Sequence, residues 1–218
     1  MLEQSKIAPQ TATEVLGELS ALAEQLGSPE LSGLVPGSAG LDLHRVRSLP
    51  ELRQFLQNYS AQVLISAELP AIYRAYQHAS RSETRELIAL DAALNLEPGL
   101  QGFSRASQHV GRSQLRKLRP LRDERVVQRY LAAVESGEAK GWHTIVFGLV
   151  AVLFSLPLRQ GLLHYATQTL NGFIYSAAGR LQLSQSVCEK LLNETAQQLP
   201  QAVDEILKSE TRTLRVTK

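Results

Sequence analysis

The sequence predicts an all-α protein, a single-domain bundle of about eight to ten helices. Three observations carry that expectation. Apolar residues recur at helical spacing over nearly the whole length, cap or breaker residues bound each stretch, and no apolar-polar alternation closed by hairpin turns stands out. No internal repeat at a solenoid period is present. With 218 residues, 44% hydrophobic and 20% charged, the chain is too apolar for intrinsic disorder. At this length a single domain buries about 70% of its unfolded surface without staples.

The first helix is expected from about Thr11 to Leu26, where Thr11 and Glu14 have capping-box spacing, Val15, Leu19, Leu22 and Leu26 form one stripe, and Gly27 suits a left-handed exit. A Gly-, Pro- and Ser-rich connection then runs to Leu49. Ser48 and Glu51 bracket Pro50 and open a second helix through Leu52, Phe55, Leu56, Tyr59 and Val63. Pro70 is expected to break or reopen the chain before Ile72, Tyr73 and Tyr76. A fourth helix covers Ser82 to Leu94 and stops at Pro98-Gly99, and a fifth runs from Leu100 to about Leu118. Asp123 can cap a sixth that Gly137 closes. Trp142 to Ser155 is the seventh, and Pro157 opens the eighth, which reaches about Leu181. Ser184 opens a ninth, and Pro200 starts a short last helix with Val203, Ile206 and Leu207. The terminal stretch SETRTLRVTK is polar and aperiodic. The expected division is a helical domain over residues 1–207 and a flexible tail over residues 208–218, to which the family resemblance given below adds partner binding.

Several chemistries are excluded. The apolar run Ile145 to Phe154 is half of the ~20 residues that a membrane helix needs. The lone Cys188 cannot close an intrachain disulfide. The first twenty residues carry acids and Pro9 instead of a basic start and an apolar stretch, so a cytoplasmic protein is expected. His44, His78, His109, His143 and His164 are scattered, with no i, i+3 or i+4 pairing, and neither metal nor cofactor is expected. No P-loop, dinucleotide fingerprint or nucleophile elbow occurs, and no catalytic residue is assigned.

One electrostatic anomaly stands out. Between Arg105 and Arg129 eight basic residues face two acidic ones, Asp123 and Glu124, although the whole chain carries a net charge of only +2. Solvated helix faces, a docking surface for an acidic protein, and a nucleic-acid footprint are the three readings. The only nearby aromatics, Phe103 and Tyr130, fit core positions, which disfavours nucleic acid.

Four stretches in order resemble the UreF family of urease accessory proteins. Leu90-Asp91-Ala92, then Ser107 and Gly111-Arg112, are similar to a leucine-aspartate leading into an E-x-S-x-x-x-G-R helix, without its glutamate. Leu156-Pro157-Leu158 resembles a G-L-P-L with Ser155 for the glycine. In NGFIYSAAGRLQLSQ, Asn171, Ser176, Ala177, Ala178, Arg180, Leu181, Leu183 and Gln185 fall on an N-x-x-x-x-S-A-A-V-R-L-x-P-L-G-Q-like pattern. The end resembles R-H-E-T-x-Y-S-R-L-F-R through Lys208, Glu210, Thr211, Arg215 and Lys218, with Thr213 and Thr217 for its aromatics. Near the other end, Gly33, Ser38, Gly40, Leu41 and Asp42 can be laid on P-x-G-x-F-x-x-S-x-G-L-E.

The resemblance implies a non-enzymatic chaperone for nickel insertion. It implies a homodimer that binds the accessory protein UreD (UreH) chiefly through its C-terminal segment, recruits the GTPase UreG, and acts on apo-urease. Partner contacts are accordingly expected at Glu210, Thr211, Arg215, Lys218, Asn171, Ser176, Arg180, Gly33, Ser38, Gly40 and Asp42. Neither nucleic acid nor membrane is expected as a partner. Two alternatives stand beside it. One is a helical ligand carrier or enzyme with a pocket among helices seven to nine, using His143, His164 or Tyr165; the other is a UreF paralogue serving another metalloenzyme.

Overall fold

A computed structural model describes residues 46–216, with side chains through residue 210. The expected first helix, Thr11 to Leu26, and most of the connection after it lie outside the described residues. The described residues are all-helical, with no strand among them. The α-helices are α1 (Leu49–Tyr59), α2 (Leu69–Ser80), α3 (Thr84–Leu94), α4 (Ser104–Lys117), α5 (Arg125–Ser136), α6 (His143–Leu153), α7 (Leu158–Leu181), α8 (Gln185–Ala196) and α9 (Leu199–Val216). A π-helical segment, Ser60–Glu68, joins α1 to α2, and a 3-10 segment, Pro98–Phe103, leads into α4.

Among the described residues these segments merge into seven continuous rods, against eight to ten helices expected of the whole chain, Thr11 to Leu26 included. The break at Pro70 does not occur. Proline lacks an N–H and its ring collides with the carbonyl four residues back in an ordinary helix. Here the preceding turns are π-wound, with Leu69 N–H donating to Leu64 O, and the wider turn admits the proline without ending the rod. At the other end, Gln197 keeps right-handed helical angles and α8 runs almost directly into α9. The last helix also extends beyond Leu207 to Val216, so Glu210, Thr211 and Arg215 lie on helix.

Elsewhere local chemistry sets the boundaries as the sequence suggests. Ser48 Oγ accepts from Glu51 N–H at α1, and Ser184 Oγ accepts from Val187 N–H at α8. Gly137 closes α5 with φ of 85°, the left-handed conformation that glycine adopts freely. Asp123 does not cap α5; Glu124 occupies that position without a side-chain bond.

α6 is the centre of the bundle. It is apolar on nearly every side, the pattern of a helix surrounded by protein, and His143–Val146 and Gly148–Ala151 are all buried. α2 packs along it most extensively, α4 covers a second side, and α7 with α8, α9 and α1 builds the adjoining layer. The α2–α6 crossing is close enough to demand Gly148, since a Cβ there would sit 2.7 Å from Ala75 Cβ and 2.9 Å from Ile72 O. Tyr59 joins three elements, with its ring 4.7 Å from that of Phe173 and 5.1 Å from that of Phe103, both edge-on.

Candidate interaction surfaces and the interior that holds them

The helix that everything packs on has no cap from its own sequence. Trp142 holds the N-cap position of α6 and provides no side-chain acceptor. The leading N–H groups are satisfied from two other helices. Asp91, fully buried on α3, accepts Lys140 N–H at 2.6 Å on Oδ1, and Gly141 N–H at 2.9 Å and Trp142 N–H at 3.2 Å on Oδ2. Tyr130 on α5 donates its hydroxyl to the same Oδ2 at 2.7 Å. Ser107 Oγ on α4 accepts His143 N–H at 3.2 Å. A carboxylate at this position also meets the positive end of the α6 dipole.

Two further residues of α4 complete the arrangement. Arg112 Nε donates to Lys140 O at 2.8 Å, closing the outer side of the turn. A Cβ on Gly111 would lie 2.2 Å from Gly141 O and 2.7 Å from His143 N, so only glycine lets α4 approach the turn. Asp91, Ser107, Gly111 and Arg112, which the sequence separates by up to 21 positions, therefore grip one four-residue stretch, Lys140–His143.

With that geometry in view, the comparison with known families is specific: the UreF family model matches residues 46–196. The chain belongs to the UreF family. No curated protein matches the sequence. The matched span includes the Asp91–Arg112 grip, the Leu156-Pro157-Leu158 turn and the stretch from Asn171 to Gln185.

In this UreF-family chain the residues expected to meet partners are spread over three regions. Gly33, Ser38, Gly40 and Asp42 lie outside the described residues, as does Lys218. On α7, Ser176 and Arg180 are one turn apart on an exposed face that also carries Tyr175, 49% exposed. Gly179 is on the same face, and a Cβ there would meet nothing within 4 Å, so packing inside the chain does not require a glycine. Asn171 is half-buried, with its Oδ1 buried and without a hydrogen-bond partner. Glu210 on α9 is held by Arg74 of α2 through two bonds, Nε to Oε2 at 3.1 Å and Nη2 to Oε1 at 2.7 Å. That bidentate pair fixes the C-terminal half of α9 to the bundle. Thr211 and Arg215 come next on the same helix, beyond the matched span.

The interior contains polar groups that sequence reading missed or placed elsewhere. Glu68, the last residue of the π-helical segment, is buried and accepts Tyr59 OH at 2.7 Å on Oε2. Burial pushes its carboxyl up to about 7. The Tyr165 hydroxyl faces the same carboxylate without completing a hydrogen bond. His143 stacks on the Tyr165 ring at 5.6 Å with Phe147 beside both, its Nδ1 has no partner, and burial lowers its pKa to about 4. His143 and Tyr165, considered as polar groups of a ligand pocket, are thus packed ring against ring. The one available signal for Glu68 was a lone acid inside the apolar run from Val63 to Ile72. Arg74 gave none, because an arginine on an exposed helix face is ordinary.

Proposed function

We propose that the chain is a urease accessory protein of the UreF type, a non-enzymatic chaperone that bridges a UreD/UreH-type accessory protein and a UreG-type GTPase while the nickel centre of apo-urease forms. Family membership over residues 46–196 is the observation that carries this reading. The proteins it meets are cytoplasmic, and it works as a homodimer.

Two surfaces support the reading. The exposed face of α7 around Ser176, Gly179 and Arg180 combines small residues with a terminal cation, which lets a partner backbone come close and meet a charge. At the chain end, Glu210 is anchored by Arg74, and the residues that follow it, Thr211, Arg215 and Lys218, include two cations that can donate charge-assisted bonds to partner carboxylates. Gly33, Ser38, Gly40 and Asp42 are proposed contacts of the N-terminal segment.

Complementation tests the assignment. In cells carrying a urease operon that lacks its UreF, expression of this chain should restore urease activity in nickel-containing medium, and removal of residues 208–218 should abolish the restoration. Failure of the full-length chain, expressed and folded beside its cognate urease and accessory proteins, would refute the urease assignment.

A further inference from the structure

The proposed partner surfaces leave unused the basic stretch that the sequence singles out. In the folded chain it becomes a stripe. Arg105, His109, Arg112 and Arg116 occur at i, i+4, i+7 and i+11 on α4, so they share one helix face about 16 Å long. That face is opposite the buried one, which consists of Ala106, Ser107, Val110, Gly111, Gln114 and Leu115. Arg105, His109 and Arg116 are exposed and form no ion pair among the described residues.

A cleft of about 310 Å³ opens beside the stripe, between α4 and α5, lined by Arg112, Arg116, Leu131, Val134 and Glu135. Its floor has the apolar Leu131 and Val134, while its rim is cationic. The acid that lines it, Glu135, is already neutralised by an ion pair with Arg119. Asp123, Glu124 and Glu138 are the other acids on α5 and its flanking turns, and all three are exposed. Arginines without carboxylate partners, aligned along a groove floored by the half-buried Val134 over the buried Leu131, match a ligand with the inverse pattern. Nucleic acid fits poorly: of the two Phe and Tyr residues near the stripe in sequence, Phe103 packs edge-on against Tyr59 and Tyr130 is buried on Asp91, so neither is available to stack on a base.

We infer that the α4–α5 groove is a docking site for an acidic amphipathic helix of a partner protein, whose carboxylates meet Arg105, His109 and Arg116 and whose apolar edge packs on the half-buried Val134. This site is distinct from the α7 and α9 surfaces and does not depend on the identity of the client enzyme.

Fluorescence anisotropy with the full chain tests it. The probe is a labelled helical peptide with glutamates at i, i+4, i+7 and i+11 and leucines along one edge; a scrambled peptide of the same composition is the comparison. The patterned peptide should bind at least tenfold more tightly than the scrambled one, and binding should weaken as salt rises. Arg105→Glu with Arg116→Glu should cut affinity at least tenfold with an unchanged circular dichroism spectrum, and a peptide carrying lysines for glutamates should recover binding to that variant. Reversal of the exposed Lys190 and Lys208 should leave binding unaltered. The proposal is overturned if the wild-type chain ignores the patterned peptide, if the double variant binds it equally well, if a duplex oligonucleotide binds more tightly, or if the double variant instead loses self-association, which would make the occupant a second copy.

Discussion

Tyr130 donates its hydroxyl to Asp91 Oδ2 at 2.7 Å, across a sequence separation of 39 residues, and the same carboxylate caps the helix at the centre of the bundle. The pair joins α3, α5 and the turn into α6 at one point with no solvent. Removing the acceptor is therefore costlier than removing the donor. Asp91→Ala leaves three backbone N–H groups and a phenol without a partner and should lower unfolding free energy by about 3–5 kcal/mol. Tyr130→Phe leaves the carboxylate three donors and should cost about 1–2 kcal/mol. Urea denaturation of both single variants and the double variant measures the coupling.

Gly111 and Gly179 are both helical, and substitution should have opposite effects. Gly111→Ala drives a Cβ into the backbone of Gly141 and His143 and should destabilise by about 2 kcal/mol or more. Gly179→Ala meets open space, removes backbone freedom from the unfolded chain, and should stabilise by about 0.5–1 kcal/mol. Thermal unfolding of the two variants should show shifts of opposite sign.

Glu68 and His143 make opposing contributions to the pH dependence of stability. The folded pKa of Glu68, about 7, lies above its ordinary value of 4.5, so its contribution is fully present below 4.5 and is lost as pH rises through 7. The folded pKa of His143, about 4, lies below its ordinary 6.5, so its contribution is present above 6.5 and is lost as pH falls through 4. Between about pH 4.5 and 6.5 the two slopes cancel. Glu68→Gln should expose the rise belonging to His143, and His143→Phe the fall belonging to Glu68, each of about 3 kcal/mol across its window. Chemical denaturation at half-unit pH intervals would show the divergence; parallel curves for the three proteins would contradict it.

The Arg74–Glu210 pair is half-exposed at the arginine and nearly enclosed at the glutamate, with side-chain exposures of 50% and 12%. Solvent screening at the open end limits its coupling to about 1 kcal/mol, less at high salt. Its effect should be local. Glu210→Gln should accelerate amide exchange in the last turns of α9 severalfold and leave α6 unchanged, as read by hydrogen-exchange mass spectrometry.

Features encoded within one turn of sequence were legible in advance. Ser48, Gly137 and Ser184 begin or end helices through bonds to residues three or four positions away, so spacing alone reveals them. Pro70 misled, because its usual effect is cancelled by π-winding in the preceding segment, which no local propensity signals. The polar character of SETRTLRVTK hid the continuation of α9, since the contact that holds it, Arg74 to Glu210, spans 136 residues. The cap of α6 was hidden for the same reason: Trp142 cannot cap, and Asp91 and Ser107 come from other helices. Asp91, Ser107, Gly111 and Arg112 were visible only as a resemblance, and their joint grip on one turn supplies the physical reason for the motif.

If this chain works by holding other maturation proteins together, the complex itself should be isolable. Co-expression with UreD/UreH-type and UreG-type proteins, followed by size-exclusion chromatography with light scattering, is the decisive measurement. A single peak containing all three is expected, with the UreD/UreH-type protein lost when residues 208–218 are removed. Elution of the intact chain on its own, apart from both proteins, would contradict the bridging role.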